Sequence, residues 1–157
     1  ADREKVDLTV DGADEVSPDL DLIKGMGGAL LREKMVAQAS HHVVIIADGS
    51  KAVDRLGTRS PLPVEVSEWA SGTHARFLEG LGAEVETRRS EDALPLRSDN
   101  GNLILDCRFP DGIDDPAGLD IMLQKRAGIV ETGLFLGLAD VAILAFADGI
   151  QVRERHA

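Results

Sequence analysis

Val43-Val44-Ile45-Ile46-Ala47, followed by Asp48-Gly49-Ser50-Lys51, is the stretch whose reading decides the fold. Successive β-branched residues, apolar at every position rather than at alternate ones, predict a strand covered on both faces, as in parallel sheets. The polar tetrapeptide after it reads as a strand-to-helix loop. Upstream, Val6-Asp7-Leu8-Thr9-Val10 alternates apolar and polar residues and runs into the turn-rich Asp11-Gly12-Ala13-Asp14-Glu15. Lys24-Gly25-Met26-Gly27-Gly28 then opens a run of good helix formers from Ala29 to about Ser40. Strand, loop, helix, strand, loop, helix is the order of a parallel α/β unit, and ligands of such sheets collect at the carboxyl ends of the strands.

Downstream, Pro61-Leu62-Pro63 marks a change of character and a candidate domain boundary. Beyond it the pattern predicts a strand over Val64–Ser67, a helix over about Trp69–Leu81, and strands over Glu84–Arg88 and Leu103–Cys107. A helix over about Pro116–Ala127 and a strand over Ile129–Leu136 complete the series. Asp99-Asn100-Gly101-Asn102 supplies turn chemistry before the third of these strands. The order βαββαβ is the split, ferredoxin-like pattern. A last apolar strand, Val141–Phe146, turns through Asp148-Gly149 into Ile150–Val152.

Composition narrows the function. The 157 residues carry 28 Asp and Glu against 17 Lys and Arg, a formal net charge of −11. So large an acidic excess argues against nucleic acid as a partner, because phosphate-backbone affinity is carried by Lys and Arg. No apolar run approaches the ~20 residues that cross a bilayer, so no membrane partner is expected. The opening residues Ala1-Asp2-Arg3-Glu4-Lys5 are charged, with no apolar stretch like a signal peptide's. Aromatic residues are only 3% of the chain, which leaves an aliphatic core and no stacking platform for bases. The single cysteine, Cys107, cannot close an internal disulfide and reads as core; its use fits a reducing cytoplasm. His41 and His42 are adjacent while His74 and His156 are remote, so no metal-ligand spacing exists.

Polar residues concentrate at the predicted strand ends. In Asp11-Gly12-Ala13-Asp14, two carboxylates on a tight turn can handle protons, hold sugar hydroxyls or bind a cation, or can serve turn formation alone. The spacing is not that of a calcium loop. In Lys24-Gly25-Met26-Gly27-Gly28, glycines let backbone N–H groups approach an anion at a helix N-terminus, and Lys24 can place a charge on a developing oxyanion. Neither a phosphate-binding P-loop nor a dinucleotide fingerprint is present.

Glu33 lies about 40° round a helical wheel counted from Ala29, in a sector shared with Val36, Ser40, Ala37 and Leu30. Lys34 and Gln38 fall on what reads as the solvent stripe. A carboxylate in so apolar a sector is either paired or functional, and Arg32 or Lys34 is the expected partner if the site is merely a surface. Lys51 ends its own strand-to-helix loop and is either a ligand contact or an exposed lysine.

Taken in order, these residues resemble the type A ribose-5-phosphate isomerases. The resemblance is carried by Asp11-Gly12-Ala13-Asp14-Glu15, by Lys24-Gly25-Met26-Gly27-Gly28-Ala29-Leu30-Leu31-Arg32-Glu33-Lys34, and by Asp48-Gly49-Ser50-Lys51. Leu62-Pro63-Val64-Glu65-Val66, Asn100-Gly101-Asn102-Leu103-Ile104-Leu105-Asp106 and Glu131-Thr132-Gly133-Leu134-Phe135 extend it over essentially the whole chain. It implies a partial Rossmann-like parallel-sheet domain, residues 1–60 with return strands at 137–157, and a ferredoxin-like lid at 61–136.

The resemblance also implies interconversion of ribose 5-phosphate and ribulose 5-phosphate in the non-oxidative pentose phosphate pathway, with no metal and no organic cofactor. Glu33 falls on the general base that works through an enediolate, and Lys24 on the residue that stabilises its oxygens. Asp11 and Asp14 fall on carboxylates that contact sugar oxygens and assist ring opening. Gly12, Ala13, Gly25, Met26, Gly27 and Lys51 fall on further substrate contacts. A cytoplasmic homodimer or homotetramer is the implied assembly.

Two departures set further expectations. Many family members carry glycine where this chain has Met26, so a positive φ there would strain it. The family opens with a helix, a strand and a Gly-Thr-Gly-Ser-Thr phosphate loop that this sequence lacks. The chain therefore reads as the back part of a longer enzyme, its sheet open on one side. The alternatives are a catalytically inactive piece and a sugar-phosphate-binding module on the same scaffold.

Overall fold

A computed structural model describes residues 5–155. Its elements in chain order are β1 (Val6–Asp11), β2 (Glu15–Val16), β3 (Leu22–Ile23), α1 (Leu30–Gln38), β4 (Ser40–Asp48) and β5 (Leu62–Val66). These are followed by α2 (Ser71–Gly80), β6 (Glu84–Thr87), β7 (Leu103–Arg108), α3 (Pro116–Gln124), β8 (Ile129–Thr132), β9 (Leu134–Phe135), β10 (Val141–Phe146) and β11 (Gly149–Glu154).

The first sheet has the order β1-β4-β10-β11, parallel through β10 and closed by the antiparallel β10–β11 hairpin. One face packs Val43, Ile45, Ala142 and Leu144 against Ala37 of α1. The other face presents Leu8, Val10, Ile46, Ile150 and Val152, each more than half exposed, so β4 is covered on one face and not on both as its unbroken apolar run predicts. The second large sheet is antiparallel, with the order β6-β7-β5-β8. Its central strand β5 is buried on both sides. Leu62, Val64 and Val66 meet Leu78, Leu119 and Leu123 of α2 and α3 in one core. The two layers are thus a parallel α/β sheet and a βαββαβ sheet, the fold class read from the pattern.

Helix ends follow local chemistry. Asp115 caps α3 by accepting the Gly118 N–H, and Pro116 occupies its first turn, where a missing N–H is harmless. The second helix begins at Ser71 rather than Trp69, because Ala70 has φ 59° and turns the chain left-handed just before it; Trp69 is 86% exposed.

Two expectations change in three dimensions. The run Ile129–Leu136 is two strands: β8 pairs with β5, and β9 pairs with β3 in a small sheet with β2. The break is Gly133, whose N–H donates to Pro63 O at 2.8 Å and whose carbonyl accepts the Lys24 N–H at 2.9 Å. A Cβ at Gly133 would overlap the Lys24 carbonyl, so only glycine lets the chain cross between the layers there.

The buried stripe of α1 also differs: it is Leu30, Lys34 and Ala37, while Met35 and Val36 lie exposed. This helix is sandwiched between β1 and β4 on one side and β5 and β8 on the other. The second layer covers the arc that the wheel assigned to solvent. Lys34 is accommodated there by ion-pairing with Glu131 at 2.5 Å and donating to Thr132 O at 2.8 Å. Its ammonium also lies 5.1 Å from the Phe135 ring centroid.

Candidate active site

The site forms where β1 and β3 end. Asp11 is the last residue of β1, and the β2–β3 hairpin, in which Glu15 pairs with Ile23, brings Lys24 back alongside the Asp11–Asp14 turn. The Asp14 N–H donates to Ile23 O at 2.8 Å and fixes that approach. Buried Glu15 anchors the turn from below: its carboxylate accepts the N–H groups of Gly57, Arg59 and Ser60 at 2.5, 2.6 and 2.7 Å. Three donors satisfy a charge that would otherwise be costly to bury.

Lys24 is the centre of the constellation. Its residue is 4% exposed, and its ammonium donates to Gly12 O at 2.6 Å. Two carboxylates flank it, Asp11 at 3.0 Å and Glu33 at 3.4 Å. The Phe135 ring lies beneath, its centroid 5.5 Å from Nζ. Glu33 comes from the first turn of α1, so the pair at the surface with Arg32 or Lys34 does not form. Arg32 instead donates to Asp99 O at 2.7 Å, and Lys34 takes Glu131. The Oε2 of Glu33 is buried and accepts no hydrogen bond among the described residues, although the Lys24 ammonium is within ion-pair distance.

The glycine loop supplies the remaining wall. Its left-handed positions are Gly25, with φ 106°, and Gly28, with φ 88°. Met26 is not among the positive-φ residues, so the expected strain is absent, and its side chain points outward, 45% exposed. The Met26 N–H donates to Asp14 Oδ2 at 3.1 Å, tying the two loops together. From outside, the guanidinium of Arg88 donates to the carbonyls of Gly25 and Met26 at 2.7 and 3.0 Å.

Asp11, Gly12, Ala13, Asp14, Lys24, Gly25, Met26, Gly27 and Glu33 line one open pocket of about 250 Å³. All were singled out in the sequence. Lys51 is not among the lining residues; it ends the short turn Gly49–Lys51 after the neighbouring strand β4, and the helix expected after that loop does not form before β5. Sequence reading missed Arg88, Phe135, Gly133 and the Lys34–Glu131 pair. No local signal marks them, since Arg88 is 63 positions from Gly25 and Glu131 is 97 from Lys34.

Chemically, the pocket sets a buried, hydrogen-bond-free carboxylate oxygen beside a fixed ammonium, with two further carboxylates and a glycine-flanked helix start around them. That is the equipment for moving a proton next to an oxygen that gains negative charge.

Known proteins resemble this chain in sequence and in fold. The family described as ribose 5-phosphate isomerase A (phosphoriboisomerase A) matches residues 1–149. The ribose-5-phosphate isomerase A of Chloroflexus aurantiacus is 56% identical over 146 residues, 93% of this chain and 61% of that protein. The one from Gloeobacter violaceus is 50% identical over 153 residues, 97% of this chain and 66% of that protein. The chain therefore spans about three fifths to two thirds of the length of these relatives. Among solved structures, a D-ribose-5-phosphate isomerase in complex with phospho-erythronic acid superposes with TM-score 0.93 at 38% identity, over 98% of this chain and 67% of that one. The ribose 5-phosphate isomerase of Plasmodium falciparum superposes with TM-score 0.94 at 30% identity, over 100% and 69%.

Proposed function

The chain belongs to the ribose 5-phosphate isomerase A family, and from that premise we propose that the protein carrying it interconverts D-ribose 5-phosphate and D-ribulose 5-phosphate. Glu33 is the base that moves a proton between C2 and C1. Lys24 holds the enediolate oxygens as they become negative. Asp11 and Asp14 orient the sugar hydroxyls and assist ring opening, and the backbone from Lys24 to Gly27, with Lys51, contacts the rest of the substrate. The observation that carries the reading is Glu33 Oε2, buried, accepting no hydrogen bond and 3.4 Å from the Lys24 ammonium.

The arrangement suits the reaction in three ways. A carboxylate oxygen unencumbered by donors is free to take a proton. A nearby ammonium already held by Asp11 and Gly12 needs little reorganisation when charge develops on the substrate. The substrate is an anion and the chain carries −11, so attraction must be local, through Lys24 and loop N–H groups; exposed charges beyond roughly 8–10 Å are screened.

In this reading residues 61–136 form a lid on a catalytic domain of residues 1–60 and 137–157, a division supported by β5 to β8 closing their own sheet. Assembly as a homodimer or homotetramer in the cytoplasm belongs to the same proposal and rests on the family alone.

The test is Glu33→Gln in the full-length enzyme. Removing the base should lower turnover at least about 100-fold while binding of phospho-erythronic acid stays within about fivefold. Incorporation of solvent deuterium at the sugar carbon should fall in parallel. Near-normal deuterium incorporation in that variant would refute the role of Glu33.

A further inference from the structure

The glycine loop that borders the pocket is held from behind by a side chain of the other layer. Arg88 follows β6, its backbone fixed by donation to Ile104 O at 2.9 Å and acceptance from the Leu96 N–H at 2.8 Å. Its guanidinium forms a two-pronged pair with Asp106 of β7, Nε to Oδ2 at 2.9 Å and Nη2 to Oδ1 at 2.5 Å. The remaining terminal nitrogen, Nη1, bridges the carbonyls of Gly25 and Met26. The Arg88 side chain is only 9% exposed. We infer that Arg88, oriented by Asp106, is a positioning residue that sets the peptide planes of the Gly25–Gly27 loop and, with them, the Gly27 N–H. The inference rests on the reading of this pocket as a sugar-phosphate isomerase site.

The physical argument is the geometry of the trans peptide, and no cis bond occurs among the described residues. In a trans peptide the C=O and the next N–H point in opposite directions. Pinning the Gly25 carbonyl on Arg88 therefore turns the Met26 N–H away from it, and that N–H indeed reaches Asp14 at 3.1 Å. Pinning the Met26 carbonyl likewise turns the Gly27 N–H away from Arg88, and Gly27 lines the pocket. A guanidinium on each carbonyl also polarises the peptide, making its N–H a stronger donor to an anion.

Glycine at position 25 takes a left-handed φ of 106°, and its carbonyl also accepts the Gly28 N–H at 3.0 Å, so Arg88 reinforces that turn from behind and holds the Met26 carbonyl with it. Only arginine can do this, since a lysine ammonium has no planar fork to hold Asp106 and both carbonyls together. Asp106, 20% exposed, neutralises the charge and fixes its plane.

The test uses Arg88→Met, Arg88→Lys and Asp106→Asn in the full-length enzyme, with isothermal calorimetry of phospho-erythronic acid, steady-state kinetics and the amide NMR signal of Gly27. Losing the clamp should weaken phospho-erythronic acid binding and lower kcat/KM about tenfold or more in Arg88→Met, with the pH profile of kcat unchanged because Glu33 and Lys24 are untouched. Arg88→Lys, which keeps the charge, should recover less than half of the loss on a logarithmic scale, and Asp106→Asn should fall between wild type and Arg88→Met. The Gly27 amide signal should shift or broaden in every variant. If Arg88→Met does not fold, Arg88→Lys decides the matter. Binding and kcat/KM within twofold of wild type in the folded Arg88 variants, with an unmoved Gly27 signal, would overturn the inference. Wild-type enzyme that neither isomerises ribose 5-phosphate nor binds phospho-erythronic acid would instead refute the proposed function, so the two failures are distinct.

Discussion

Lys34→Met tests the tertiary burial that the helical wheel did not anticipate. The wild-type side chain is 5% exposed, and its ammonium is held by Glu131 at 2.5 Å, Thr132 O at 2.8 Å and the Phe135 ring. Methionine fills a similar volume but leaves the Glu131 carboxylate, 16% exposed, with only the Thr132 N–H at 2.7 Å for compensation. Removing one partner of a buried ion pair costs about 3–5 kcal/mol, and the residual water access of Glu131 places this site near the lower end, about 3 kcal/mol. For a chain of this size that corresponds to a fall in Tm of roughly 6–12 °C. Urea unfolding followed by circular dichroism, with thermal melts alongside, measures it. Lys34→Met combined with Glu131→Leu should recover at least half of the loss, because an apolar pair needs no charge solvation. A single variant within about 0.5 kcal/mol of wild type, the behaviour of a surface lysine, would refute the reasoning.

Other perturbations have equally definite outcomes. Gly25→Ala puts a Cβ 2.9 Å from the Leu30 Cβ at φ 106° and should cost about 1–3 kcal/mol in urea melts, whereas Met26→Gly relieves no strain and should cost about 0.5–1 kcal/mol in the same assay. Burial, with the Asp106 carboxylate beside it, pushes the Cys107 thiol far up, so in the native protein it should resist iodoacetamide at mildly alkaline pH and react only on unfolding, as mass spectrometry will show. Burial, reinforced by Arg126, depresses the His74 pKa below its ordinary 6.5. The unfolded chain then takes up the proton more readily, so this contribution is complete above pH 6.5 and is lost as pH falls below it. Melts of wild type and His74→Asn across about pH 5–8 should show a steeper acid-side decline in the wild type.

Much of the site was legible because it is local. Asp11-Gly12-Ala13-Asp14 and Lys24-Gly25-Met26-Gly27-Gly28 are turn and loop chemistry at the ends of short strands, and strand ends are where an α/β sheet assembles ligand residues. The βαββαβ order and the apolar run Val43–Ala47 within β4 likewise follow from period and composition along a few residues. What a periodicity cannot report is which faces a second layer will cover. Lys34 reads as solvent-facing on an isolated helix, and becomes buried because β5 and β8 close over α1 from the side opposite β4. The run Ile129–Leu136 reads as one strand, and only the approach of the Lys24 carbonyl to Gly133 splits it between two sheets. Met26 is harmless because the left-handed turns fall on Gly25 and Gly28, a division of φ angles set by where Asp14, Arg88 and α1 hold the loop. The sequence by itself thus determined the elements and the residues that carry charge into the pocket. The tertiary structure alone decided which carboxylate pairs with which ammonium and which side chain supports the loop, because those partners are distant in sequence and meet only when the two layers pack.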